Sequence, residues 1–288
     1  MNQEQLTAAI SSFFPFTLTS DQQAALQMLS NFLIHSKDEQ VFLLKGYAGT
    51  GKTSLISALI QYLYDRGVGC ILLAPTGRAA KVLSSYSGHQ ALTIHKKIYR
   101  KAKVTGEEGP FSLNFNKHKD SIFIVDEASM ISNEKGENSS FGSGRLLEDL
   151  LEFVYSGENC RLILMGDTAQ LPPVGQMLSP ALDPNQLRKL GMDAQTVELT
   201  QVLRQSYDSG ILDNATGLRD SIRNDLVKQL PKLKVNKTDV IRLSGDELIE
   251  ALSSSYSRVG MEESKIICYS NKRAVLFNRG IRSAALYK

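Results

Sequence analysis

No apolar run in these 288 residues approaches the roughly 20 that a membrane-spanning helix needs; the strongest, 41–44 and 162–165, have the length of strands. The first fifteen residues hold neither a basic region nor a long apolar block, so a secretory signal is not expected and the cytoplasm is the default compartment. Cysteine is scarce. Cys70, Cys160 and Cys268 stand far apart without CxxC spacing, each in or beside an apolar stretch, and read as ordinary core thiols rather than a disulfide framework. A strong charge of one sign is missing as well. The net charge of +3 neither demands nor excludes a nucleic-acid partner, because a local basic groove binds phosphates on a nearly neutral protein. No repeat of solenoid period occurs.

What is present is a globular pattern. An apolar content of 42% fills the core of one large or two ordinary domains. Thr19 and Gln22 have the spacing of a capping box, and apolar residues then recur at helical intervals, predicting a helix over 20–34. Residues 41–44, a glycine-rich turn and 54–60 read as strand, loop and helix. Further strand candidates at 70–74, 122–125 and 162–165 alternate with helices at 77–85 and 145–155. That alternation predicts an α/β fold, a mostly parallel sheet flanked by helices on both faces. Residues 98–119 have a different texture, a polar hairpin inserted into the α/β core and split at Gly106, whereas 133–144 reads as a mobile loop. Beyond Leu203 a second unit begins, with helices near 210–224 and 247–257 and strands at 239–243 and 265–269.

Three segments carry chemistry. Gly46-Tyr47-Ala48-Gly49-Thr50-Gly51-Lys52-Thr53 matches the phosphate-loop pattern in full and lies between a predicted strand and a predicted helix that continues through Ser54. At ordinary glycine and lysine usage a chance match has a probability of roughly one in a hundred, and the strand–loop–helix context lowers it. The glycines let backbone N–H groups turn toward phosphates, the helix N-terminus supplies the positive end of a dipole, Lys52 reaches the β and γ phosphates, and the Thr53 hydroxyl ligates Mg²⁺. ATP and Mg²⁺ are therefore the expected ligands. The strand 122–125 ends in Asp126 and Glu127, where a parallel sheet presents its site; Asp126 is placed to hold the metal through water and Glu127 to polarise the attacking water. A third strand ends in Gly166-Asp167-Thr168-Ala169-Gln170-Leu171-Pro172-Pro173, with Gln170 placed to sense the γ-phosphate.

Those last eight residues, with Asp126-Glu127-Ala128-Ser129, resemble motifs III and II of superfamily 1 helicases. Ala74-Pro75-Thr76-Gly77-Arg78-Ala79-Ala80 is similar to motif Ia of the 5′→3′ branch, the RecD-like and Dda-like enzymes. The resemblance implies a RecA-like P-loop ATPase domain over 1–203 and part of a second RecA-like domain over 204–288. It implies that Gln22 reads adenine, that Pro75, Thr76, Arg78, Thr93 and His95 contact single-stranded DNA, and that Arg204, in the segment resembling motif IV, approaches the γ-phosphate. Later helicase motifs are not found after Asn271, so the expectation is a piece of a longer enzyme. Two readings stay open. One is an ATP-driven DNA translocase; the other is an ATP-switched subunit beside a nuclease or recombination partner. An RNA track also stays open, as does the hairpin's role as strand-splitting pin or plain insertion.

Overall fold

Strand residues that alternate between two apolar faces organise the chain up to Leu199. In the computed structural model, which describes residues 1–36, 38–104, 107–135, 141–173, 175–176, 178–202, 209–224, 230–235 and 238–284, eight strands occur. They are β1 (Gln40–Gly46), β2 (Gly69–Ala74), β3 (Ala91–Thr93), β4 (Tyr99–Val104), β5 (Glu107–Leu113), β6 (Ser121–Val125), β7 (Arg161–Gly166) and β8 (Asp193–Leu199). Six of them form one sheet in the order β3-β2-β6-β7-β1-β8. Every pairing in it is parallel. Parallel strands covered on both faces read as unbroken apolar runs, and all five residues of β6 are buried.

The period of two sorts the side chains. Phe42, Leu44, Ile122, Ile124, Ile163 and Met165 point into one core, whereas Val41, Leu43, Phe123, Val125, Leu162 and Leu164 point into the other. The first core is closed by α1 (Gln3–Ser11), α2 (Ser20–His35) and α3 (Lys52–Asp65), with Leu83 from α4 (Gly77–Ser87). The second takes Ile94 and Ile98 from α5 (Ile94–Ile98), Leu147 to Val154 from α6 (Leu146–Tyr155), and Leu187 from α7 (Pro184–Lys189). The capping box at the start of α2 forms as the spacing predicts: Thr19 Oγ accepts from the Gln22 N–H, and the Gln22 side-chain oxygen accepts from the Thr19 N–H. Helix α1, helix α7 and strand β8 were not anticipated from the sequence, being short or bordered by polar residues.

The inserted segment is the antiparallel hairpin β4–β5, with a register shift between Lys101 and Lys103. Its base is fixed by rings: Phe141 stacks on Phe111 and tilts against Tyr99. The Tyr99 hydroxyl donates to the buried carboxylate of Asp149, 2.6 Å away, and the same oxygen accepts from the Ser143 N–H. Of the 133–144 stretch, 136–140 lie outside the described residues. Its described ends are hydrogen-bonded, Asn133 to Glu148 on α6 and the Gly142 N–H to the Phe111 carbonyl.

The chain divides into two compact units, Met1–Gln205 and Ser206–Lys288. The second contains α8 (Gly210–Arg223), α9 (Leu248–Val259) and α10 (Asn271–Ala284). The strands expected at 239–243 and 265–269 do not form; no strand occurs among the described residues of this unit. A strand exists only through a hydrogen-bonded neighbour, and neither segment has one there, so apolar composition alone was a misleading signal.

Candidate nucleotide-binding site

Three adjacent strands, β6, β7 and β1, deliver the chemistry to one edge of the sheet. The register pairs Lys45 with Gly166 and Val125 with Leu164, so the segments that follow these strands emerge side by side at their C-terminal ends. A cleft of about 900 Å³ opens there, lined by the phosphate loop, Asp126, Glu127, Asp167, Gln170, Gln22 and Tyr86.

The loop between β1 and α3 needs its glycines. Gly49 and Gly51 hold φ of 82° and 89°, the left-handed region that costs other residues most. A Cβ on Gly46 would meet the Leu199 carbonyl oxygen at 2.9 Å and Thr50 Oγ at 2.8 Å. No side chain caps α3 and its first turn carries no acid, which leaves that turn's N–H groups suited to an anion. The Lys52 ammonium is folded over the loop, donating to the Gly46 and Tyr47 carbonyls. Thr53 and Ser54 line the cleft, while Thr50 is buried with its hydroxyl on the Tyr47 carbonyl.

Asp126 is oriented at both oxygens. Oδ1 accepts from the Glu127 N–H at 2.8 Å and Oδ2 from the Tyr86 hydroxyl at 2.9 Å. Burial raises its pKa, opposed by those two hydrogen bonds and the Lys52 charge. Glu127 has φ 54° and ψ 37°, a left-handed backbone unusual outside glycine, which turns its side chain into the cleft. Burial and then the neighbouring Asp126 push its carboxyl upward, with a hydrogen bond from Gln170 pulling the other way. The Gln170 side-chain oxygen in turn accepts from Ser129 Oγ at 3.0 Å. The cleft thus joins a cation, two carboxylates and an amide within one network.

Two residues that the sequence left without a role tie the site together. Asp167, buried, accepts from the Ala48 N–H at 3.0 Å and the Ala169 N–H at 2.8 Å, so it pins the phosphate loop to the segment after β7. The Ala48 N–H is therefore turned to Asp167 in this structure. Asp21 binds the segment after β8, its Oδ2 accepting from the Thr200 N–H, the Thr200 hydroxyl and the Gln201 N–H. An acidic residue in a helix's first turn usually reads as a dipole partner, and nothing in its spacing signals this contact across 179 positions. Gln22 borders the cleft but is 1% exposed, and its amide nitrogen donates to the Thr50 carbonyl. Arg204 lies outside the described residues.

The track-contact candidates collect at the same end of the sheet, on its other half. Ala74 pairs with Thr93, which sets the Pro75–Thr76 turn beside the start of α5. Thr76 caps α4 through the Ala79 N–H, Thr93 caps α5 through the Lys96 N–H, and Arg78 is exposed. His95 is half-buried against Tyr99 and Phe141, and burial lowers its pKa, so it offers a neutral ring rather than a charge.

A parallel sheet with a phosphate loop after one strand and an acidic pair after a near neighbour defines a P-loop nucleotide-binding protein. The AAA domain family matches residues 17–232, three quarters of the chain, and the chain belongs to that family. It is 31% identical over 201 residues to the ATP-dependent RecD2 DNA helicase of Deinococcus radiodurans, covering 70% of this chain and 24% of that protein. It is 29% identical over 279 residues to the ATP-dependent DNA helicase dda of Enterobacteria phage T4, covering 92% of this chain and 56% of the relative. The chain therefore spans between a quarter and little more than half of these relatives. The crystal structure of Pif1 helicase from Candida albicans aligns with a TM-score of 0.44 at 19% identity, over 91% of this chain and 61% of the other. The motif resemblance to the RecD-like and Dda-like branch of superfamily 1 is supported by the two sequence relatives.

Proposed function

We propose that the chain is the ATP-hydrolysing motor region of a DNA helicase that moves 5′→3′ on single-stranded DNA. The observation that carries this reading is the convergence of Lys52, Asp126, Glu127 and Gln170 on one cleft, in a chain related to two DNA helicases. Lys52 and the loop N–H groups bind the β and γ phosphates. Thr53, and Asp126 through water, would hold Mg²⁺, which when bound would neutralise charge on the phosphate oxygens. Glu127, its carboxyl raised by burial, polarises the attacking water, and Gln170 senses or orients the γ-phosphate. Gln22 borders the adenine end with Phe14, Phe16 and Thr17. Arg204 stabilises the charge that develops on the transferring phosphoryl group. Pro75, Thr76, Arg78, Thr93 and His95 grip the strand, mainly through its phosphates.

The other reading, an ATP-switched subunit beside a nuclease chain, requires binding without turnover; the assembled hydrolytic set favours the motor. Adding single-stranded DNA should raise ATP hydrolysis by the whole protein several-fold, and hydrolysis indifferent to DNA would count against translocation. Lys52→Ala should lower hydrolysis by about 10²–10³-fold while the melting temperature stays within about 2 °C, because Lys52 opens α3 at the edge of the cleft and is not in the core. Turnover that persists in that variant refutes the site.

A further inference from the structure

Tyr86 lines the cleft and contacts a carboxylate of the site directly, yet the hydrolytic scheme above leaves it unused. It sits in the last turns of α4, and its hydroxyl donates to Asp126 Oδ2 at 2.9 Å. With Oδ1 held by the Glu127 N–H, the Tyr86 hydroxyl is the second of the two hydrogen bonds that fix the rotation of the carboxylate, and the one that comes from outside its own segment. A carboxylate oxygen has two lone-pair positions, so Oδ2 accepts from Tyr86 and keeps one for a metal-bound water. The rest of α4 gives this contact a direction. Arg78, Val82 and Tyr86 recur every four residues and form one stripe, and both Val82 and Tyr86 line the cleft. Two turns and roughly 12 Å along the axis separate Arg78 from Tyr86. The N-terminal end of the same helix is capped by Thr76, directly after Pro75. Leu83 and Ala80 anchor the helix in the core, so it is braced along its length.

We propose that Tyr86 is a positioning residue for Asp126, and that α4 is the link between the DNA track and the metal-holding carboxylate. The inference rests on the reading of 75–78 as a strand contact and of Asp126 as a metal holder. A strand phosphate bound at the N-terminal turn displaces α4 slightly. The displacement reaches Asp126 through a single hydroxyl, so DNA changes how well the cleft holds its metal. Thermodynamic reciprocity then requires that the metal-loaded nucleotide change DNA affinity by the same factor.

The test is a Mg²⁺ titration of fluorescent ADP binding to the whole protein, with and without an oligothymidylate, in wild type and Tyr86→Phe. Phenylalanine keeps the ring and removes only the hydroxyl, and circular dichroism melting confirms that the fold is intact. Partners that orient a metal ligand are typically worth 10–100-fold in metal affinity. Wild type should show a Mg²⁺ midpoint that shifts several-fold on adding the oligonucleotide. In Tyr86→Phe the midpoint should rise about tenfold and become the same with and without DNA. A wild-type midpoint in the variant overturns the positioning role, and a raised midpoint that still responds to DNA overturns the link through α4. Wild-type protein that binds neither the nucleotide nor the oligonucleotide overturns the motor reading itself, and this inference with it.

Discussion

The two units treat the same kinds of residue differently. In the first, the strand residues Phe42, Leu43, Phe123, Ile124, Ile163 and Leu164 are all fully buried. In the second, no apolar side chain among the described residues is buried, and Ile267 and Tyr269 stand 97% and 98% exposed. Helices form in both. Helix α8 is capped by Ser209, whose hydroxyl accepts from the Leu212 N–H, and by Asp239, which accepts from the Gly210 and Ile211 N–H groups. A helix makes its hydrogen bonds within itself, whereas a strand borrows them from elsewhere in the chain. Among its described residues the second unit forms helices and caps them, partly from distant residues, but pairs no strand.

Core substitutions should separate the units most. Phe123→Ala removes a ring buried between β6 neighbours and α6 and should cost about 3–5 kcal/mol in urea unfolding, whereas Leu276→Ala, at 58% exposure, should stay within about 0.5 kcal/mol. Equal losses at both positions would break the comparison. Glycines should sharpen it with opposite signs. Gly46→Ala drives a methyl against the Leu199 carbonyl and should destabilise by about 1–3 kcal/mol, weakening nucleotide binding in the same sample. Gly217→Ala, inside α8 with open space around it, should stabilise its helix by about 0.5–1 kcal/mol, read by circular dichroism.

The thiols divide along the same line. Burial pushes Cys70 on β2 up to about 12 from an ordinary 9.0, and Cys160 is buried, so a maleimide at pH 7.5 should label Cys268 first. A folded pKa above the unfolded one means that Cys70 favours the fold below pH 9. That contribution fades as pH rises from about 9 to about 12, and unfolding monitored over this range should show it.

Much of the site was legible because its motifs are contiguous. The phosphate loop, the Asp126–Glu127 pair and Gln170 each sit at the end of an apolar run, and a parallel sheet gathers such ends. The capping box of Thr19 and Gln22 was equally local. Asp21, Asp167 and Tyr86 escaped notice because their partners, Thr200, Ala48 and Asp126, lie 179, 119 and 40 positions away. No spacing rule relates residues at such distances.

The sequence by itself determined where the phosphate-loop pattern lies and which strand ends carry the carboxylates, since loop chemistry and strand periodicity are properties of neighbouring residues. Only the tertiary structure decided the strand order β3-β2-β6-β7-β1-β8, and with it which motifs become neighbours across the cleft. It alone decided that 239–243 and 265–269 stay unpaired. Strand pairing is a contest among distant segments for the same hydrogen bonds, and its outcome is written in no segment alone.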